Sequence, residues 1–97
     1  MSEEYAIQYA DEAVADLKAI RAYDQRKILS SIESHLIFQP RKESKSSIKA
    51  MLQPFWSQYR LRSEDFRVYY DVSEDPRVVH VLRVLQKTTG ATMENPT

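Results

Sequence analysis

Five cations and one tyrosine hold most of the chemistry available to this chain: Arg60, Arg62, Arg67, Arg83, Lys87 and Tyr69. From residue 55 onward, apolar and polar residues alternate with a period of two, as strands do. Phe55, Tyr59 and Leu61 fall on one face, with Trp56, Gln58, Arg60 and Arg62 on the other. Phe66, Val68, Tyr70 and Val72 form the next apolar face, with Arg67, Tyr69 and Asp71 opposite. A hairpin tip at Glu64-Asp65 sets Leu61 against Val68, Arg62 against Arg67 and Arg60 against Tyr69. A three-residue loop would mix the two faces, so an even loop is preferred. Ser73-Glu74-Asp75-Pro76 supplies the next turn, and Val78 to Leu85 reads as an inner strand. Pairing Val72 with Val78 then sets Val68 against Leu82 and Arg67 against Arg83, with Lys87 on the face of Arg83.

The result is a one-sided sheet. Phe55, Tyr59, Leu61, Phe66, Val68, Tyr70, Leu82 and Val84 cover the core, and the five cations gather around Tyr69 on the other face. Such a face suits anions. Arginine presents a planar donor fork to phosphate oxygens. Clustered cations stabilise the charge that builds on a phosphorane-like transition state. Tyr69 and Trp56 offer rings on which bases can stack. Like charges held together repel, and a bound anion or an acidic partner would relieve that cost. Cross-strand pairing with Asp71 and Glu64, plus solvation, is the alternative.

The elements that position this face come earlier. Residues 5–9 alternate loosely and read as a short first strand. Asp11 reads as an N-cap, and Ala13, Val14, Leu17 and Ile20 predict an amphipathic helix over 12–22. Asp24 reads as a second N-cap, with Ile28, Leu29, Ile32 and Leu36 continuing a helical stripe to residue 38. Pro40 stops it. A short connection makes the two helices an antiparallel hairpin. Residues 41–50, polar and rich in Lys and Ser, read as a loop, and the tail from Thr88 as frayed. The fold class is α+β: an N-terminal helical hairpin packed on a curved, mainly antiparallel sheet of about four strands.

Composition narrows the functions. The 97 residues suit one small domain, and 14 basic residues balance 14 acidic ones. The balance hides an asymmetry, because residues 41–62 hold six basic residues and one acidic. There is no cysteine, hence no disulfide framework and no thiolate metal site, which fits a cytoplasmic location. The acidic start has no apolar stretch behind it and does not read as a secretory signal. The single glycine, Gly90, excludes a phosphate-binding loop or a dinucleotide turn. His35 falls at the margin of the second helix, and His80 by alternation on the helix-covered face. No metal-ligand spacing and no nucleophilic triad can be assembled, so no cofactor is expected.

The run Trp56-Ser-Gln-Tyr-Arg-Leu-Arg-Ser-Glu-Asp-Phe-Arg-Val-Tyr-Tyr-Asp-Val72, followed by Val78-Val-His-Val-Leu-Arg-Val-Leu-Gln-Lys87, closely resembles the RelE/ParE toxin superfamily. The resemblance spans about residues 4–88. It implies a toxin of a type II toxin–antitoxin pair, held inactive by a wrapping antitoxin peptide. An acidic, amphipathic peptide would suit the apolar side of the first helix or the cationic sheet face. The RelE branch cuts mRNA in the ribosomal A site, where the 2′-hydroxyl attacks the adjacent phosphate. The ParE branch inhibits DNA gyrase and is not a nuclease. A degenerate toxin that only binds its antitoxin is a third reading. For the RelE branch, the resemblance implies that Arg67 contacts the scissile phosphate. It puts Arg60 where relatives have a strand lysine, and Lys87 near the leaving oxygen. Arg62, Tyr69 and Arg83 would bind RNA. Two departures stand out. Gln86 occupies a position often held by His, and no Tyr follows Tyr70. Arg60 is also a poor general base, because a guanidinium does not give up its proton near neutrality.

Overall fold

The computed structural model describes residues 4–87, so the expected frayed tail lies outside the described residues. The chain runs β1 (Ala6–Tyr9), α1 (Asp11–Lys18), α2 (Ala22–Leu36), β2 (Ile48–Ala50), β3 (Tyr59–Ser63), β4 (Phe66–Glu74) and β5 (Arg77–Gln86). The strands form one sheet in the order β1-β5-β4-β3-β2. All neighbours are antiparallel except β1, which pairs parallel with β5. The α+β architecture is as expected, with five strands and not four. The added strand is β2, inside the stretch expected to be a loop. Its one buried residue, Ile48, pairs with Leu61, and that burial anchors the pairing.

Helical periodicity places Ile28, Ile32 and Leu36 of α2 on one buried stripe, with Ala13 of α1 beside them. They pack on Leu61, Phe66, Val68, Tyr70, Val72, Val79, Val81 and Val84. At the centre, Tyr70 is fully buried and donates its hydroxyl to the Pro40 carbonyl at 2.7 Å. That bond ties the end of the helical hairpin to the middle of the sheet. Burial pushes the Tyr70 phenol up, so it stays a neutral donor.

The helices differ in detail from their sequence signals. The first ends at Lys18, not residue 22, and the Gln25 amide donates to the Leu17 and Ile20 carbonyls at 2.6 and 2.8 Å. These bonds satisfy carbonyls at and just past the helix end. Asp11 and Asp24 lie inside their first turns and do not cap. Val14 is exposed, and Ala13 takes the buried position beside the sheet. The Glu64-Asp65 tip sets the β3–β4 register as the sequence predicts: Leu61 opposite Val68, Arg62 opposite Arg67, Arg60 opposite Tyr69.

The β4–β5 register differs. Val72 pairs with Val79, Tyr70 with Val81, Tyr69 with Arg83, Val68 with Val84 and Arg67 with Leu85. The register shifts between Tyr69 and Tyr70, leaving Leu82 as the extra residue of a β-bulge. An extra residue reverses the faces beyond it. Val79 and Val81 therefore enter the core, while Leu82 leaves it. His80 lies opposite Asp71 on the face away from the helices, with its Nε2 3.2 Å from the Ser73 hydroxyl. Alternation in the sequence pairs Val72 with Val78, one residue off at the turn, and in a run apolar on both faces nothing corrects the slip, so both residues fall on the wrong side.

One contact fixes the end of β5 that carries part of the cationic face. Pairing with β1 ends at Tyr9 opposite Val81. Beyond it, Asp16 of α1 takes the place of a strand partner. Its Oδ2 accepts from the Val84 amide at 2.9 Å and from Arg83 Nε at 2.7 Å, and its Oδ1 from Arg83 Nη2 at 2.9 Å. The Arg83 hydrogen bonds and the Val84 amide hold the Asp16 carboxyl below the usual carboxylate range, against the opposing effect of burial. A depressed folded-state pKa gives stability that is present above the unfolded value of about 4. That stability is lost as pH falls through the lower folded value. Asp16→Ala should cost about 1–2 kcal/mol in urea unfolding at pH 7, the range for charge-assisted hydrogen bonds trimmed for exposure. The gap between wild type and variant should narrow as pH falls below the unfolded value of about 4 and close only below the lowered folded-state value.

Candidate nucleic-acid interface

The hairpin β3–β4 builds the site. With Leu61, Val68 and Tyr70 held in the core, pleating turns Arg60, Arg62, Arg67 and Tyr69 to the opposite face. Arg60 lies directly across from Tyr69, and Arg62 directly across from Arg67. Arg60 and Arg67 are half-buried, and Arg62 is exposed. The Nε atoms of Arg60 and Arg67 are buried without a hydrogen-bond partner. Burial, then the charges of Arg67 and Arg62, lowers the Arg60 pKa, while Tyr69 opposes the shift. The site therefore strains against its own charge.

The carboxylates that might have neutralised it point elsewhere. Asp71 accepts from the Gln58 amide at 2.7 Å, and Glu64 pairs with Lys27 of α2 at 2.7 Å. Among the described residues, the ion pairs are Arg21–Asp24, Lys27–Glu64, Arg41–Glu74 and Arg83–Asp16. None involves Arg60, Arg62 or Arg67. The cross-strand neutralisation that the sequence left open does not form.

Other expected members fare differently. Arg83 sits opposite Tyr69, and its guanidinium gives Nε and Nη2 to Asp16 of α1. Paired in this way, it does not join the unpaired cluster. Lys87 follows Gln86, which pairs with Phe66, and its amide donates to the Asp65 carbonyl at 2.6 Å. By alternation from Leu85 it lies at the hairpin-tip end of the arginine face.

Two members were missed. Lys49 of β2 lies directly across from Arg60 and extends the cationic row by one strand. Its signal was Ile48, an apolar residue isolated in a polar stretch. Lys45, Lys49, Arg60 and Arg62 line a cleft of about 100 Å³ with Ser44, Ser46, Ser47 and Ile48, and no carboxylate lines it. Phe55, expected in the core, is on the site face instead. The regular strand begins only at Tyr59, so alternation does not reach back to Phe55. Its ring stacks 5.0 Å from that of Trp56, which lies 4.7 Å from the Tyr69 ring.

The arrangement suits a strand of phosphates beside unpaired bases: donor forks in a half-dry patch, next to exposed rings. Among the described residues, no cluster of His, Asp and Glu could hold a metal ion, and no helix is long and apolar enough to cross a membrane.

Residues 7–89 match the family model described as ParE toxin of type II toxin-antitoxin system, parDE. Comparison with curated proteins returns no sequence relative. Several solved structures share the fold. The toxin–antitoxin complex RelBE2 from Mycobacterium tuberculosis superposes with a TM-score of 0.73 at 17% identity, covering 87% of this chain and 99% of that one. The archaeal RelE–RelB complex from Pyrococcus horikoshii gives 0.71 at 21% identity, covering 90% and 99%. The isolated E. coli RelE toxin gives 0.67 at 14% identity, covering 89% and 87%. At these identities the likeness is one of fold. The match of the family model over most of the chain goes further: this chain belongs to the RelE/ParE superfamily, as a toxin of a type II toxin–antitoxin system.

Proposed function

We propose that this toxin is a ribosome-dependent mRNA endonuclease that inhibits translation in the cytoplasm. The observation that supports this reading most is the cluster of Arg60, Arg62 and Arg67, free of carboxylate partners among the described residues and aligned across one hairpin. A surface that only had to stay soluble would pair or disperse these charges.

In the proposed reaction, a ribose 2′-oxygen attacks the adjacent phosphorus and the bond to the 5′-oxygen breaks. The products are a 2′,3′-cyclic phosphate and a 5′-hydroxyl. Arg67 holds the non-bridging oxygens of the scissile phosphate. Arg60, cationic throughout the accessible pH range, stabilises the added negative charge and is not a base. Lys87, as an ammonium, donates the proton that the leaving oxygen needs. The 2′-proton passes to solvent, and the ribosome supplies the in-line geometry. Arg62 and Tyr69 bind the flanking strand. No step requires a metal or an organic cofactor.

The structural neighbours include RelE toxins seen with RelB antitoxins. By analogy, this toxin's partner is an antitoxin whose acidic segment would cover the arginine face and silence it. A second reading, a gyrase-binding inhibitor without nuclease activity, draws support from the ParE description of the matching family model. Gln86 and the lack of a Tyr after Tyr70 also favour it.

Mapping mRNA 5′ ends within minutes of induction separates the two. The nuclease reading predicts new cuts inside translated codons, reduced at least about a hundredfold in Arg67→Ala, as expected for loss of a transition-state charge contact. Intact mRNA with arrested growth and trapped gyrase, unaffected by Arg67→Ala, would establish the second reading instead.

A further inference from the structure

The aromatic residues beside the arginines have no role in the phosphate chemistry. Trp56 is about half exposed, with 51% of its surface accessible, although its ring is packed on two others. Phe55 stacks 5.0 Å from it at 27°, and Tyr69 stands 4.7 Å from it, tilted by 47°, and 6.1 Å from Phe55. The three rings buttress each other, so the indole is held in place at little further entropic cost to a ligand. Tyr69 belongs to the hairpin and faces Arg60 directly, with Arg67 two residues away on the same face. Beside Trp56 a cleft of about 330 Å³ opens, lined also by Ala10, Glu12, Leu82 and Arg83. Leu82 is at the rim because the bulge in β5 turns it out of the core.

We infer that Trp56, on the shelf it forms with Phe55 and Tyr69, stacks an unpaired base of a single-stranded RNA whose neighbouring phosphate lies on Arg60 and Arg67. This inference rests on the proposed nuclease reading and extends it to a base-binding subsite. Three features favour RNA over a protein on this shelf. The charges next to it are unpaired guanidiniums. The floor is a rigid aromatic surface and not an adaptable aliphatic one. The cleft rim carries an acceptor, Glu12, and a guanidinium with one amino group not used by Asp16, which suit the edge of a base. Stacking tolerates any base, so discrimination would come from that rim.

Trp56 is the only tryptophan in the chain, so its fluorescence reports on the shelf alone. The full chain is titrated with a 2′-O-methylated single-stranded RNA, which cannot be cut, and separately with inorganic polyphosphate. The inference predicts that RNA quenches Trp56, that polyphosphate competes with RNA for binding but does not quench, and that Arg67→Ala weakens both. Trp56→Ala should weaken RNA binding about five- to a hundredfold, read by anisotropy of a labelled strand, and leave polyphosphate affinity unchanged. Trp56→Phe should restore most of the affinity, and circular dichroism checks that the variants fold. RNA that binds in competition with polyphosphate but neither quenches Trp56 nor weakens in Trp56→Ala would overturn the shelf and leave the nuclease reading standing. RNA that does not bind at all would overturn the shelf, and new cuts in the mRNA 5′-end map would then keep the nuclease reading standing on its own. Quenching by the antitoxin's acidic peptide alone, with none by RNA, would reassign the shelf to a protein partner.

Discussion

β3 and β4 are joined by two residues, Glu64 and Asp65, and that tip sets which side chains of the molecule meet solvent. A shift by one residue would send either Arg60 and Arg62 of β3 or Arg67 of β4 into the core, and Leu61 or Val68 out of it. The burial of Leu61, Val68 and Tyr70 against α2 excludes such a shift. Glu64 takes a left-handed conformation, φ 54°, to close so short a loop. A residue with a side chain reaches that region at a cost. The ion pair of its carboxylate with Lys27 holds the tip against the helix. That pair also removes Glu64 from the arginine face. One turn thus fixes the register, braces the hairpin and leaves three guanidiniums without a counter-charge among the described residues.

The other side of the sheet depends on a different device. β1 is too short to cover all of β5, and Asp16 completes the edge by accepting from the Val84 amide. Arg83, drawn to the same carboxylate, becomes part of the scaffold. Two arginines on the strands flanking β4, both beside Tyr69, therefore have opposite fates. Arg60 has no ion-pair partner among the described residues, whereas Arg83 reaches Asp16 of α1.

Much of this could be read from the sequence, and the failures share a physical cause. Alternation and an even loop were enough to pair Arg60 with Tyr69 and Arg62 with Arg67, because each one-residue slip would bury charge. No such penalty disciplines Val78 to Leu85, where both faces are apolar. The one-residue slip at the turn, which misplaces His80 and Leu82, and the bulge at Leu82 therefore both go unmarked in the sequence. β2 was missed because a three-residue strand gives one period of alternation, too little to stand out from a loop. Phe55 is misplaced because alternation from residue 55 starts four residues ahead of Tyr59, where the ladder begins. The pairing of Arg83 with Asp16 joins residues 67 positions apart, and nothing local announces it.

The central claim is that the arginine face is kept for an anion and not for the fold. Arg60 is half-buried, repelled by Arg67 and Arg62, and its Nε lacks a partner. If so, its charge works against folding. The direct test is Arg60→Met, which keeps the packed stem and removes the charge, measured both for urea unfolding and for growth arrest on induction. The account predicts a variant at least as stable as wild type, by about 0–1 kcal/mol, that no longer arrests growth. A variant that loses more than about 1 kcal/mol, or one that remains fully toxic, would contradict it.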